Sequence, residues 1–236
     1  MAETLRMAFP LLQAAQAQKH VTVNEALLRL DGLVNLVLVS RGVVTPPTSV
    51  SDGACYGVPA GAVNAWAGQA GKVAIGANGG WVFASPAAGW RAFIADEGRG
   101  ALHDGTDWVA GAVTMSAHGA GLMLGVAEID HTIAPGETSS TTVLIPSHAM
   151  VIGVSARVVS EITGTMTSWQ LGNAGAPDRF GAGLGLAAES WARGMLSQPM
   201  TFWAPEPLLL TATGGSFAGG KVRLAAHFME ISLPML

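Results

Sequence analysis

GGWVFASPAAGWRAFIADEG, running from Gly79 to Gly98, decides how this chain is read, because it sets Trp81 and Trp90 nine residues apart among glycines and small side chains. Such a stretch is either a flat aromatic platform for a sugar or the core of a small β unit. Its surroundings favour the β unit. NGGWVFA (Asn78 to Ala84) and DGTDWVAG (Asp104 to Gly111) each place a turn directly before a Trp-Val strand, and WAGQAGKVAI (Trp66 to Ile75) offers a third tryptophan near a glycine turn. A turn followed by a strand, recurring at hairpin spacing, reads as a small antiparallel unit. The echo is too short for a solenoid. Trp81 and Trp108 are then core positions, since aromatic residues pack well on strands. Trp90, after the Ser85-Pro86 turn, stays between core and surface.

Upstream, the pattern is helical. Thr22 and Glu25 have capping-box spacing, and Val23, Ala26, Leu27, Leu30, Leu33 and Val34 recur at helical intervals. LLQAAQAQKH before them reads as a second short helix or an extended arm, and LVLVS (Leu36 to Ser40) as a strand. An arm with one apolar stripe must dock on something, its own domain or a neighbour. TPPTSVSDG (Thr45 to Gly53) is a turn-rich linker. Downstream of Glu128, TTVLIP, AMVIGVSARVVSEI, TSWQLG, LLLTATG and KVRLAAHFMEISL read as strands, with turns expected at Pro135-Gly136, Gly172-Asn173, Gly214-Gly215 and Gly219-Gly220. In the last strand Val222, Leu224, Ala226 and Phe228 alternate with Lys221, Arg223 and His227, the mark of a half-buried strand. The fold class expected is mainly β: a helical arm (1–44), a small Trp-rich antiparallel unit (45–112), a linker (113–127) and a C-terminal sandwich of jelly-roll type (128–236).

Composition points to assembly. Half of the 236 residues are apolar and only 12% are charged, against about 25% in an ordinary soluble domain. Charge depletion marks surfaces that become buried between subunits, so a homo-oligomer is expected. Net charge is −4 with no basic run, which argues against nucleic-acid binding through phosphates. The single cysteine, Cys55, permits no intrachain disulfide and no thiolate zinc site. Met1 to Gln18 is a poor secretory signal, since Glu3 sits in the would-be basic region and Pro10 breaks the apolar run. Trp108 to Ala127 carries no Asp, Glu, Lys or Arg, but polar residues interrupt it and acidic ones flank it. It reads as a linker and not as a membrane span.

No specific catalytic constellation is found: no G-x-S-x-G, H-E-x-x-H or P-loop. GAGLG (Gly181 to Gly185) is read as a strand-connecting loop. The six histidines are scattered, and the adjacent pairs His103-Asp104 and Asp130-His131 point to opposite faces of a strand. Asp96-Glu97 and Asp104/Asp107 have the acidic character of glycan-cleaving pairs, but they lie in glycine turns, where Asp caps its own backbone. No catalytic, cofactor or metal residues are assigned. Trp191 and Trp203, which flank Met195, Met200 and Phe202 in a stretch without clear alternation, are the candidates for a ligand or interface surface, together with Phe202 and Trp90.

Three stretches, LQAAQAQKHVTVNEALLRLDGLV, TPPTSVSDGACYGV and AWAGQAGKVAIGANGGWVFASPAAGWRAFIADEG, follow one another between Phe9 and Ala112. Together they resemble an uncharacterised domain family of prophages and gene transfer agents, phage-like particles that carry host DNA between cells. IPSHAMVIGVSARVVSEITG, RFGAGLGLA and GGSFAGGKVRLAAHFME resemble the β domain that often follows it. The resemblance implies a non-enzymatic virion structural protein, a head-spike base on the capsid or a tail appendage. Such a protein contacts capsid or tail proteins, anchors a distal fibre and helps the particle adsorb to capsular polysaccharide. It is assembled in the cytoplasm and then displayed outside the released particle. The chain has no coiled-coil or collagen-like shaft, which favours a base over a whole fibre. A tail-fibre adhesin that binds carbohydrate is the alternative, and a glycan-degrading enzyme is the second.

Overall fold

The computed structural model describes residues 3–12 and 19–234. The expectations placed on residues 13–18, the Ala/Gln-rich helix or arm, lie outside the described residues. The chain forms two compact units, one ending at Gly121 and the other spanning Leu122–Leu233.

The first unit comprises helix α1 (Lys19–Leu33) and strands β1 (Val37–Leu38), β2 (Cys55–Gly57), β3 (Val73–Ala77), β4 (Gly80–Ala84), β5 (Arg91–Ile94), β6 (Arg99–His103), β7 (Trp108–Ala110) and β8 (Ala112–Met115). Seven of these strands form one sheet in the order β4-β3-β2-β1-β5-β6-β7. Two antiparallel meanders, β2-β3-β4 and β5-β6-β7, flank β1, which runs parallel to the first strand of each. The sequence echo therefore has a structural meaning: NGGWVFA builds β4 and DGTDWVAG builds β7, the third strand of either meander. Asn78 and Gly79 close the β3–β4 hairpin with φ of 52° and 74°, the left-handed pair that a two-residue turn needs.

Trp108 is buried, as expected of a core residue, and packs in a cluster with Leu36, Leu38, Val73, Ile75 and Ile94. Trp81 is only half-buried. It joins a second cluster around Trp66, with ring centroids 5.1 Å apart at an edge-to-face angle of 76°. That geometry puts ring edge on ring face, as aromatic quadrupoles prefer.

Several expectations are corrected here. The chain is already helical at Lys19, so Thr22 and Glu25 lie within α1 and are not the capping box of its first turn. The expected apolar stripe is only partly covered: Leu27, Leu33 and Val34 are half-buried, Leu33 against the core, but Val23, Ala26 and Leu30 are exposed, and the buried positions are Asp31 and Gly32. A Cβ at Gly32 would lie 2.7 Å from Ile75 Cγ2, so glycine is what lets the helix end approach β3. No boundary falls at residue 44, because β1 is the middle strand of the sheet that residues 45–112 complete.

The N-terminal arm docks on its own unit. The Asp31 carboxylate accepts from Thr4 Oγ1 (2.8 Å), Arg6 N (3.0 Å) and Met7 N (2.5 Å). The Arg6 guanidinium donates to the carbonyls of Asp31, Gly32 and Asn35. It thereby satisfies the orphan acceptors of the helix C-terminus and complements its dipole.

The second unit holds β9 (Gly121–Thr132), β10 (Thr138–Ile145), β11 (Ala149–Gly164), β12 (Ser168–Asn173), β13 (Ala176–Leu184), β14 (Trp191–Phe202), β15 (Glu206–Thr213) and β16 (Phe217–Ile231). One sheet is ordered β10-β15-β12-β13, and the other β14-β11-β16-β9. Eight strands divided in this order between two sheets are a jelly roll. Both sheets contribute to one core that includes Trp169, Leu171, Phe180, Leu208, Leu210 and Leu224. The expected alternation in β16 holds, with Val222, Leu224, Ala226 and Phe228 all buried.

The expected linker 113–127 is instead β8 and the first half of β9. Gly219-Gly220 is not a turn but lies inside β16, where the register with β11 shifts. GAGLG begins within β13, and the stretch without alternation is β14.

Candidate functional site

Strand register lines up the exposed face of the larger jelly-roll sheet. Trp191, Arg157, Arg223 and Asp130 are successive cross-strand partners over β14, β11, β16 and β9. Arg193, Ser155, Ala225 and Glu128 form the next row on the same face, two residues along each strand. Neighbouring strands lie about 4.8 Å apart, so the first row crosses roughly 14 Å. Between the rows runs an open groove of about 550 Å³, lined by Glu128, Ser155, Arg157, Trp191, Arg193 and Arg223.

Its electrostatics are positive, three arginines against one carboxylate. Trp191 is 64% exposed, and the Arg193 guanidinium lies 5.9 Å from its ring centroid, within cation–π range. Arg223 forms a two-point bridge to Asp130 at 2.6 and 3.0 Å, and Lys221 joins it at 3.2 Å. The Arg223 and Lys221 hydrogen bonds hold the Asp130 carboxyl at about 2, below its ordinary 3.8. Arg157 donates to the Glu189 carbonyl, which leaves most of its donors directed to solvent. An exposed indole with guanidinium groups around it can stack on a ring and bind a carboxylate or phosphate at two points.

The same sheet face is apolar at its other end. Leu122, Leu124 and Val126 on β9, Ile231 on β16, Met150 on β11 and Met195 on β14 are all exposed, and the pairings Leu124↔Met229↔Met150 and Val126↔His227↔Gly153↔Met195 make them neighbours. The first unit also leaves apolar groups uncovered: Leu5, Leu12, Val21, Val23 and Leu30 are each at least 41% exposed. The contiguous apolar end of the sheet face is surface of the kind that marks interaction sites.

The four residues singled out by sequence are not brought together. Trp191 opens β14 and Trp203 follows its end, so roughly 40 Å of extended chain separates them. Trp203 is exposed beside His148, ring centroids 5.8 Å apart, at a corner where Ser147 Oγ donates to the Trp203 carbonyl (3.1 Å). Phe202 is corrected from surface to core: it is 5% exposed and packs inside the jelly roll, because adjacent strand residues face opposite sides. Trp90 is half-buried against the first unit's core. Sequence reasoning missed Arg157, Arg193 and Arg223, which only strand pairing aligns.

Asp104 takes the turn role: one oxygen accepts from Thr106 N and Asp107 N at 2.7 Å each. Among the described residues no group of three or more His, Cys, Asp or Glu is placed to hold a metal ion, and no helix is long and apolar enough to cross a membrane.

Residues 23–109 match the model of a family described as protein of unknown function (DUF2793). That stretch reaches from α1 into β7 of the first unit. No curated protein matches the chain. Among solved structures the chain is similar to one from the cyanophage Pam1 capsid asymmetric unit, at 20% identity over 50% of this chain and 91% of that chain, with a TM-score of 0.34. So low a score transfers neither fold nor function.

Proposed function

We propose that this protein is a non-enzymatic structural component of a phage-like particle, an adaptor at the base of a head spike that joins the particle to a distal fibre. It is assembled in the cytoplasm and displayed outside the released particle. The observation that carries the reading is that the larger jelly-roll sheet leaves a contiguous apolar patch around Leu124, Val126, Met150 and Met195 uncovered. An adaptor needs one surface for the particle and one for its fellow subunits or fibre. The low charge content of the chain agrees, since interface cores are depleted of charge. Native mass spectrometry or sedimentation of the full chain over a wide concentration range tests the assembly. Homo-oligomers are expected, and Leu124→Asp with Met195→Asp should dissociate them. A wild-type protein that stays monomeric throughout removes the assembly claim.

A second reading, direct adhesion to glycan, is favoured by the Trp191 groove. Three arginines there suit an acidic polysaccharide of the cell surface, with Trp191 as the stacking platform. Trp191→Ala and Arg157→Ala are expected to weaken binding of the full chain to immobilised acidic capsular polysaccharide, and more so at low salt. Binding that is indifferent to both substitutions assigns adsorption to the distal fibre.

A further inference from the structure

The groove beside Trp191 is not uniformly basic, and its asymmetry restricts the glycan it suits. Its floor is made by Ser155 and Ala225, the middle residues of the row Arg193, Ser155, Ala225 and Glu128. Both are small, so they leave a trough that runs from Trp191 and Arg193 on β14 to Glu128 on β9. Three strand spacings put the two ends roughly 14 Å apart. Arg157 and Arg223, directly opposite each other in the β11–β16 register, form one side of it.

The two ends differ in chemistry. At the first, the Arg193 guanidinium lies over the Trp191 ring, and Arg157 makes one long bond, 3.4 Å, to the Glu189 carbonyl. A guanidinium carries five N–H donors, so this end keeps donors for a ligand anion. In the middle, Arg223 is already taken: Asp130 fills its fork at 2.6 and 3.0 Å, as a bound carboxylate would. Lys221 also pairs with Asp130, at 3.2 Å. At the far end Glu128 lies 3.9 Å from Arg223 Nε with its side chain 60% exposed, too far for a hydrogen bond. Glu128 is therefore the carboxylate open to a ligand, and its oxygens call for O–H or N–H groups.

A polysaccharide with a carboxylate on every ring would bring one of them against Glu128. Two like charges about 4 Å apart weaken binding about fivefold in bulk water, and more near a protein surface. A glycan in which acidic and neutral sugars alternate avoids that clash. Its carboxylate meets Arg157 and Arg193, and the hydroxyl or amide groups of the neutral neighbour meet Glu128.

We infer that the groove selects a glycan of alternating acidic and neutral sugars, and that Glu128 is the residue that discriminates against a uniformly acidic one. This selectivity rests on the adhesion reading of the Trp191 groove and adds the substrate class to it.

Isothermal titration calorimetry of the full chain with three hexasaccharides tests it: alternating glucuronate and N-acetylglucosamine, hexagalacturonate, and neutral maltohexaose. Wild type is expected to bind the alternating one about fivefold or more tightly than hexagalacturonate, and maltohexaose least. Glu128→Gln keeps the size of an exposed side chain and removes its charge. It should strengthen hexagalacturonate about fivefold and leave the alternating glycan little changed. Comparing the ratio in the two proteins cancels the difference in sugar identity. Trp191→Ala should weaken both acidic glycans. If neither acidic glycan binds wild type, or Trp191→Ala leaves their binding intact, the adhesion reading fails and the selectivity falls with it. If both bind through Trp191 but hexagalacturonate binds as tightly or more tightly, or Glu128→Gln leaves the ratio unchanged, adhesion stands and the selectivity is refuted.

Discussion

Asp31→Ala tests whether the N-terminal arm is a fixed part of its own unit or a segment free to reach a neighbour. In the arm, residues 3–12, Thr4 is buried but Leu5, Met7, Ala8 and Pro10 are exposed. Little apolar burial holds it. Ordering each backbone residue costs about 1–2 kcal/mol, so the arm depends on the three hydrogen bonds to Asp31, on Arg6 at the helix end, and, at Leu12, on the Asn24 side chain that pairs with both its backbone groups. A hydrogen bond to a charged group contributes about 1.5–3 kcal/mol, which is roughly a 10- to 150-fold change in local opening per bond. The loss cannot exceed the free energy of docking the arm, because an open arm hydrates its own amides.

The expected result is therefore local. Hydrogen exchange should show the Arg6, Met7 and Phe9 amides losing protection by at least about tenfold in Asp31→Ala, with β3 and β5 amides little changed, as for an independent opening unit. Asp31→Asn should be intermediate: it keeps one acceptor oxygen but sets an NH₂ group against a backbone donor. If the arm amides keep their protection in Asp31→Ala, something other than this carboxylate holds the arm. If they are unprotected in the wild type, the clasp does not persist in solution and the arm is available to anchor elsewhere.

Gly194→Ala should destabilise the jelly roll by about 3 kcal/mol or more, measured by urea unfolding, because its Cβ would lie 2.0 Å from the Phe180 carbonyl oxygen and 2.6 Å from Phe180 Cα; a variant of wild-type stability would refute that close approach of β13 and β14. The Asp130 carboxyl should titrate by NMR near 2, and Arg223→Ala should return it towards 3.8. Since the folded value is the lower one, this group's contribution to stability is present above about 3.8 and disappears as pH falls through about 2. Cys55 is buried with its thiol pushed up to about 11, chiefly by burial, so it should resist alkylation in the native protein at neutral pH and react once unfolded.

What was legible in the sequence is what single strands carry. β16 is readable because one face meets the core and the other meets water, and the echo of NGGWVFA in DGTDWVAG is readable because both are hairpin strands with turn residues directly before them. β13 and β14 were illegible for a physical reason. They meet through backbone at Gly194, so no side-chain periodicity records the contact. Past Met195, β14 also carries a bulge, with the five steps to Met200 facing only the two from Val151 to Gly153. Pro199 within it has no N–H to donate to the ladder.

The groove was illegible in another way. Its ion pair joins Asp130 to Arg223, 93 residues apart, and nothing in either local sequence names the other. The strand end was equally unmarked: Phe202 closes β14 with its side chain in the core, whereas Trp203 lies just beyond the strand and is exposed. The depletion of charge was legible as a total, but not its placement. Strand pairing gathers much of the remaining charge of the second unit at one end of a sheet face and leaves aliphatic and methionine side chains at the other. A sheet face divided in this way has one half that favours water and anions and one half that favours burial. The two halves thus answer to different partners, and substitutions in one should leave the other's binding intact.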